Sequence, residues 1–252
     1  MDFHLSPMPL DMHIEWNRKM KSLSPIILAL DTDEVEIALS WIELTRDSVD
    51  VYKVGLEFFL KHGAAGLQLL RKSSDFELFL DLKLHDIPNT VAGAVASVVG
   101  LSPRFLTVHA SGGANMVRAA VEQGPQIAIT AVTVLTSLDQ EELVKMGVSL
   151  TPIDYALALA KNSVDAGARA IVCSPLEVEA IRQAVGQSVE LITPGVRPAG
   201  SDVGDQSRVM TPRDAISAGA DFLVMGRPIT SYFQKSPQAM RERALEMRES
   251  LN

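Results

Sequence analysis

The 252-residue sequence predicts an α/β fold, a single-domain (β/α)8 TIM barrel. Eight short apolar, β-branched runs alternate with longer amphipathic stretches, as repeated βα units around a parallel sheet do. Most runs begin roughly 20 to 30 residues after the one before, the length of a strand plus a crossover helix. Ionisable residues gather where the first three runs end, and barrels of this type place their chemistry at the carboxyl ends of the strands. Eight units favour a closed barrel over an open sheet.

Residues 1–24 hold Pro7, Pro9, several charges and no continuous apolar stretch. They resemble neither a signal peptide nor a membrane span and are expected to form an N-terminal extension. The barrel is expected over 25–252. Its strands are predicted at Ile26 to Leu30, Val51 to Val54, Leu78 to Leu82, Phe105 to His109, Ile127 to Thr133, Ala170 to Cys173, Leu191 to Thr193 and Phe222 to Met225. The third run leads into DLKLHDIPNT, and Pro88 is expected to end that strand because it cannot donate to the ladder.

Helix starts carry their own signals. Asp33 with Glu36 three residues on resembles a capping box, and Thr151-Pro152 and Thr211-Pro212 read as an N-cap followed by a proline at the first helical position. The long gap between the fifth and sixth strands is expected to hold two helices, Asp139 to Met146 and Pro152 to Ala166. A short helix is expected at Ile229 to Phe233, and a charged one at Gln238 to Leu251 covers the exterior. Nothing in the composition marks a second domain.

Formal net charge is −8, from 23 lysines and arginines against 31 acids, with no basic run of the kind that neutralises a phosphate backbone. Nucleic acid is not expected as a partner. The one cysteine, Cys173, lies in an apolar run and reads as a small buried residue, which fits a reducing, cytoplasmic setting.

In a strand over 78–84, Phe79, Asp81 and Lys83 share one face and the leucines share the other. Asp31 ends the first strand, Lys53 lies near the end of the second, and Asp86 follows in the loop after the third. Taken singly, each reads as a rim residue or a cap. Together they imply a partly buried network in which each charge supports the next. Carboxylates keep a flanked lysine protonated, so Lys83 is the expected proton donor and can stabilise a developing carbanion. The interleaved lysines would repel a divalent cation, so no metal is expected. His85 and His109 read as structural or loop residues.

At the other end of the chain, Pro194-Gly195-Val196-Arg197-Pro198 and Met225-Gly226-Arg227-Pro228 follow strands seven and eight. Those loops form the usual phosphate site of this barrel type, and arginine grips phosphate in a bidentate manner. Gln206 is placed to reach the phosphate or a ligand ring, and Thr136 and Ser137 offer hydroxyls suited to an amide or base edge.

The motifs LALD, YKVG, DLKLHDIPNT, HASGG, AVTVLTS, TPGVRP, GDQSR and MGRPIT, in that order over residues 26–230, resemble the bacterial-type orotidine 5′-phosphate decarboxylase family. The resemblance implies decarboxylation of orotidine 5′-monophosphate to uridine 5′-monophosphate by a homodimer without metal or organic cofactor. It implies Asp31 on the ribose, Lys53 between ribose and network, Asp81 beside the substrate carboxylate and Lys83 as proton donor. Asp81 acts either by repelling that carboxylate or by holding Lys83, and both readings stand. Asp86 and Thr90 would come from the partner subunit. Thr136 and Ser137 would face the pyrimidine, and Arg197, Gln206, Gly226 and Arg227 the phosphate. Two alternatives are a metal-dependent sugar-phosphate decarboxylase or aldolase of the same superfamily, and a non-catalytic nucleotide-binding barrel. The first would need a carboxylate where Lys53 stands.

Overall fold

A computed structural model describes residues 23–197 and 210–251. The chain alternates strand and helix: β1 (Ile26–Ala29), α1 (Val35–Thr45), β2 (Val51–Val54), α2 (Leu56–Ser73), β3 (Glu77–Leu84), α3 (Pro88–Val99), β4 (Phe105–His109), α4 (Ala114–Gln123) and β5 (Ala128–Val132). Two helices, α5 (Gln140–Lys145) and α6 (Pro152–Asp165), fill the long gap. The rest is β6 (Ala170–Val172), α7 (Val178–Val185), β7 (Glu190–Thr193), α8 (Pro212–Ser217), β8 (Phe222–Met225), α9 (Arg227–Thr230) and α10 (Pro237–Glu249). Every strand pairs in parallel with its neighbours, and β8 returns to β1 through Ile26↔Leu223 and Leu28↔Met225, closing the barrel. Each predicted strand is present within two residues of its expected ends.

Alternation along each strand divides the core in two. Inside the barrel, Ile27, Val51, Phe79, Phe105, Ala128, Ala170, Ile192 and Phe222 form one layer with a residue from each strand. Phe105 stacks edge-on against Phe79 at 5.6 Å and Phe222 at 5.8 Å. Outside, Leu28, Leu78, Leu80, Leu106, Ile171 and Leu191 pack against helix residues such as Ile42, Leu67, Val95 and Ile181. The next inward residue on each strand stands two positions on, toward the carboxyl end. On β1 to β4 these are Ala29, Lys53, Asp81 and Thr107, so the charged residues rest directly on the apolar layer.

The local signals were of unequal value. Thr151 and Thr211 cap α6 and α8 by accepting from the amides of Asp154 and Asp214, and Asp139 caps α5 by accepting from Glu142. The expected Asp33 capping box does not form. Helix α1 starts at Val35, and the Asp33 carboxylate is taken by Lys61 at 2.7 Å instead. Pro88 does not end β3 either: the strand stops at Leu84, and the proline opens α3, where a missing N–H costs nothing. The short helix after β8 begins two residues earlier than expected, at Arg227, and continues as a 3₁₀ turn over Ser231–Gln234.

At the carboxyl end of the chain, Met240, Ala244 and Met247 of α10 are buried, and Arg241 pairs with Asp47 beyond α1 at 2.7 Å. Of the expected extension, residues 1–22 lie outside the described residues. Among the described residues, no helix is long and apolar enough to cross a membrane.

Candidate active site

The site is built from β1, β2 and β3. On β2, Tyr52 faces outward and its buried hydroxyl bonds to the Thr45 hydroxyl at 2.9 Å and the Ile42 carbonyl at 3.2 Å. Strand alternation then turns Lys53 inward. Its ammonium lies 3.2 Å from Asp31 Oδ1 and 3.5 Å from Asp81 Oδ2. Lys83 Nζ donates to both oxygens of Asp81 at 2.8 Å. The side chains of Lys53 and Asp81 are 12% and 11% exposed, whereas that of Asp31 is 65% exposed and forms the outer end of the row. Asp31, Lys53, Asp81 and Lys83 therefore alternate in sign through the pocket.

Burial raises the Asp81 pKa, but the charges of Lys53 and Lys83 outweigh it and hold the carboxyl below its ordinary value. Burial likewise lowers the Lys53 pKa, and the Asp81 and Asp31 carboxylates more than reverse that, keeping the ammonium charged. Removing one member of such a buried pair is costly, about 3–5 kcal/mol, because the survivor is left uncompensated.

β3 is irregular at this point. Leu80 pairs with Leu106, but Leu84 pairs with Val108, so Asp81, Leu82 and Lys83 stand opposite Thr107 alone. Lys83 has a φ of 48°, in the left-handed region that a non-glycine residue rarely adopts. This bulge aims Lys83 back over Asp81, which a regular strand two residues on would not do. Thr107 was not singled out from the sequence. The signal was its phase: it follows the inward Phe105 by two residues, as Asp81 follows Phe79, and Phe79 pairs with Phe105.

A cavity of about 290 Å³ opens above this floor. Apolar walls come from Ala29, Phe79, Val132, Val172 and Val224, and Asp31, Lys53, Asp81, Lys83, Arg197, Gly226 and Arg227 also line it. Gly226 comes close to Asp31: a Cβ built there would sit 3.4 Å from Asp31 Oδ2. Val196 and Met210 form an isolated parallel bridge, and the Arg197 amide donates to the Met210 carbonyl at 3.0 Å.

The structure brings most of the predicted site residues to this one cavity. Thr136 lines it, but Ser137 does not and is exposed at the rim. Gln206 lies outside the described residues. Asp86, in the loop before α3, and Thr90, in its first turn, are exposed, and the Asp86 carboxylate accepts from the Ile87 amide at 2.7 Å. In the single chain Asp86 is not joined to the charged row. Cys173 is buried at the cavity wall, and burial pushes its thiol pKa up. His85 and His109 lie with ring centroids 5.3 Å apart; burial, then the charges of His85 and Lys83, lower the His109 pKa. Among the described residues, no group of three or more His, Cys, Asp or Glu side chains is placed to hold a metal ion.

A closed eight-stranded parallel barrel with a polar pocket at the carboxyl ends of its strands defines a (β/α)8 barrel of the kind that carries its site in the βα loops. The model of the Orotidine 5′-phosphate decarboxylase / HUMPS family matches residues 24–241. An orotidine 5′-phosphate decarboxylase of Thermobifida fusca is 56% identical over 207 residues, covering 82% of this chain and 89% of that protein. One from Paramagnetospirillum magneticum is 45% identical over 231 residues, covering 88% and 98%. A crystal structure of orotidine 5′-phosphate decarboxylase from Lactobacillus acidophilus superposes with a TM-score of 0.75 at 33% identity, covering 89% of this chain and 98% of that one. The chain belongs to the orotidine 5′-phosphate decarboxylase / HUMPS family.

Proposed function

We propose that this chain is a carbon-carbon lyase that decarboxylates orotidine 5′-monophosphate to uridine 5′-monophosphate, the last step of de novo pyrimidine biosynthesis, in the cytoplasm. The observation that carries the reading is the placement of Asp81 between two ammonium groups, Lys53 and Lys83, over an apolar floor. This comes in a chain up to 56% identical to relatives of that name.

In this reading the carbon–carbon bond to the substrate carboxylate breaks, carbon dioxide leaves, and the electron pair stays on the ring carbon. The Lys83 ammonium stabilises that carbanion and then transfers a proton to it; solvent restores the lysine. Lys53 bridges ribose and network, and Asp31 takes the ribose hydroxyls. Thr136 and Ser137 face the pyrimidine. Arg197, Gln206, Gly226 and Arg227 hold the phosphate, whose remote binding contributes to rate as well as affinity. Asp81's contacts with both lysines support a positioning role for it.

Metal and organic cofactors are not needed for this step. Support comes from the carboxylate itself: Asp81 is already engaged by two ammonium groups, and Lys53 stands where a metal-dependent sugar-phosphate relative would need an acid. The working unit is a homodimer in which Asp86 and Thr90 complete the partner's site. Support lies in the exposed segment that carries them: Ile87, between the two, is 66% exposed. An exposed apolar side chain beside an acid that stands apart from the charged row of its own chain suits an interface between copies.

The test is the ultraviolet absorbance change when orotidine 5′-monophosphate is added to chelator-treated protein. Turnover to uridine 5′-monophosphate is expected. Turnover that appears only after magnesium is restored would place the chain with the metal-dependent members of its family, and nucleotide binding with no turnover under either condition would make it a non-catalytic barrel.

A further inference from the structure

Thr107 is fully buried on β4, and its hydroxyl makes two bonds at once. It accepts from the Lys83 backbone N–H at 2.8 Å and donates to Asp81 Oδ1 at 2.9 Å. The first bond answers a problem set by the bulge. The Glu77 N–H donates to Asp50 on the β2 side while the Leu78 carbonyl accepts from Arg104 on the β4 side, so in a regular strand the Lys83 N–H would point toward β2. The bulge, which sets three residues of β3 opposite Thr107 alone, turns it to β4 instead. A buried amide without an acceptor is costly, and the threonine hydroxyl supplies one. It thereby holds Lys83 in a left-handed conformation that its own side chain disfavours.

The second bond follows from counting protons. A backbone N–H can only donate, so the hydroxyl receives there and has its single proton free for Asp81, which accepts as a carboxylate. One side chain thus touches the main chain of the proton donor and the acid that holds the donor's ammonium. The ammonium is therefore located from both ends: through the backbone at Lys83 and through the carboxylate at Asp81.

On the reaction proposed above, we infer that Thr107 is a positioning residue whose hydroxyl couples the bulged backbone of Lys83 to the Asp81 carboxylate and so fixes where the proton donor stands. It touches no reacting atom. Its removal should act on turnover and not on substrate capture.

The experiment compares wild type with Thr107→Val, Thr107→Ser and Thr107→Cys. In Thr107→Val, kcat is expected to fall on the order of 10- to 100-fold, the loss typical of hydrogen bonds to charged groups, while KM and uridine 5′-monophosphate affinity stay within about twofold. The acidic limb of the kcat profile should move to higher pH, because the Asp81 carboxylate loses a donor. Thr107→Ser, which keeps the hydroxyl, should restore most of the rate. A Thr107→Val enzyme with unchanged kcat would overturn the inference, as would a Ser variant no better than Val. Should the valine variant fail to fold, Ser against Cys decides: the weaker thiol donor is expected to be slower, and equal rates overturn the idea. A readout independent of activity separates this from the function itself. The Asp81 side-chain carbon, followed by NMR titration, should report a higher pKa in the valine variant whether or not orotidine 5′-monophosphate is turned over, and an unmoved titration rejects the coupling.

Discussion

The Lys83 ammonium lies 2.8 Å from each oxygen of Asp81, so the most deeply placed acid of the pocket is chelated by the residue expected to give up a proton. A lysine held this way keeps its charge and a fixed position. If that ammonium both stabilises the carbanion and protonates it, Lys83→Ala should lower kcat on the order of 10,000-fold or more. Binding of uridine 5′-monophosphate, followed by calorimetry, should be largely spared. Substantial residual turnover would remove Lys83 from the role.

Arg227 lines the same cavity as this network. Arg227→Ala should lower kcat/KM for orotidine 5′-monophosphate about 10- to 100-fold, the loss of charge-assisted hydrogen bonds to a phosphate. Kinetics with orotidine, which lacks the phosphate, should barely change. An equal loss with both substrates would sink the phosphate assignment.

Asp86 is exposed in its own chain, and the proposed dimer gives it a use. Mixing Lys83→Ala with Asp86→Ala protein should regenerate about a quarter of wild-type activity, since half of randomly paired dimers are mixed and each mixed dimer has one intact site. Native mass spectrometry would establish subunit exchange. No recovery after demonstrated exchange would argue against a shared site.

Phe105 is fully buried and contacts both Phe79 and Phe222 within the inner layer. Phe105→Ala should cost about 3–5 kcal/mol in urea denaturation, transfer and cavity terms together. Because Phe79 is also the pocket floor, the variant should lose kcat even where it remains folded. Unaltered kinetics would show that the inner layer does not set the height of the floor.

His109 gives a pH dependence in the accessible range. Its folded pKa is lowered, so the unfolded chain binds the proton more readily. Stability is therefore free of this penalty above the unfolded value, about 6.5, and declines as pH falls below it toward the folded value. Melting temperature should drop more between pH 8 and pH 5.5 in wild type than in His109→Gln. Identical drops would reject the assignment.

Much of this molecule could be read from its residues. The eight strands announced themselves by β-branched runs at regular intervals, and Thr151 and Thr211 cap their helices as cap-plus-proline pairs do. The charged row was legible because ionisable groups at three successive strand ends needed one another. Asp33 misled because a cap residue can bond elsewhere, here to a lysine 28 positions on. The β3 bulge was hidden for a different reason: periodicity within one strand says nothing about how many residues of its neighbour stand opposite. Thr107 was hidden with it, since a threonine in a strand reads as β propensity until its partner is known.

The pairing of β8 with β1 sets an order of events for the living cell. The acids and lysines of β1 to β3 leave the ribosome early, while Arg227, which lines the same pocket, is made among the last of the barrel residues. Until residue 225 arrives the ring cannot close, and each half is an incomplete surface with nothing to grip. A nucleotide bound as proposed touches both ends of the chain's history and favours only the closed ring, by mass action. Nucleotide supply would then help decide how long each folded copy survives.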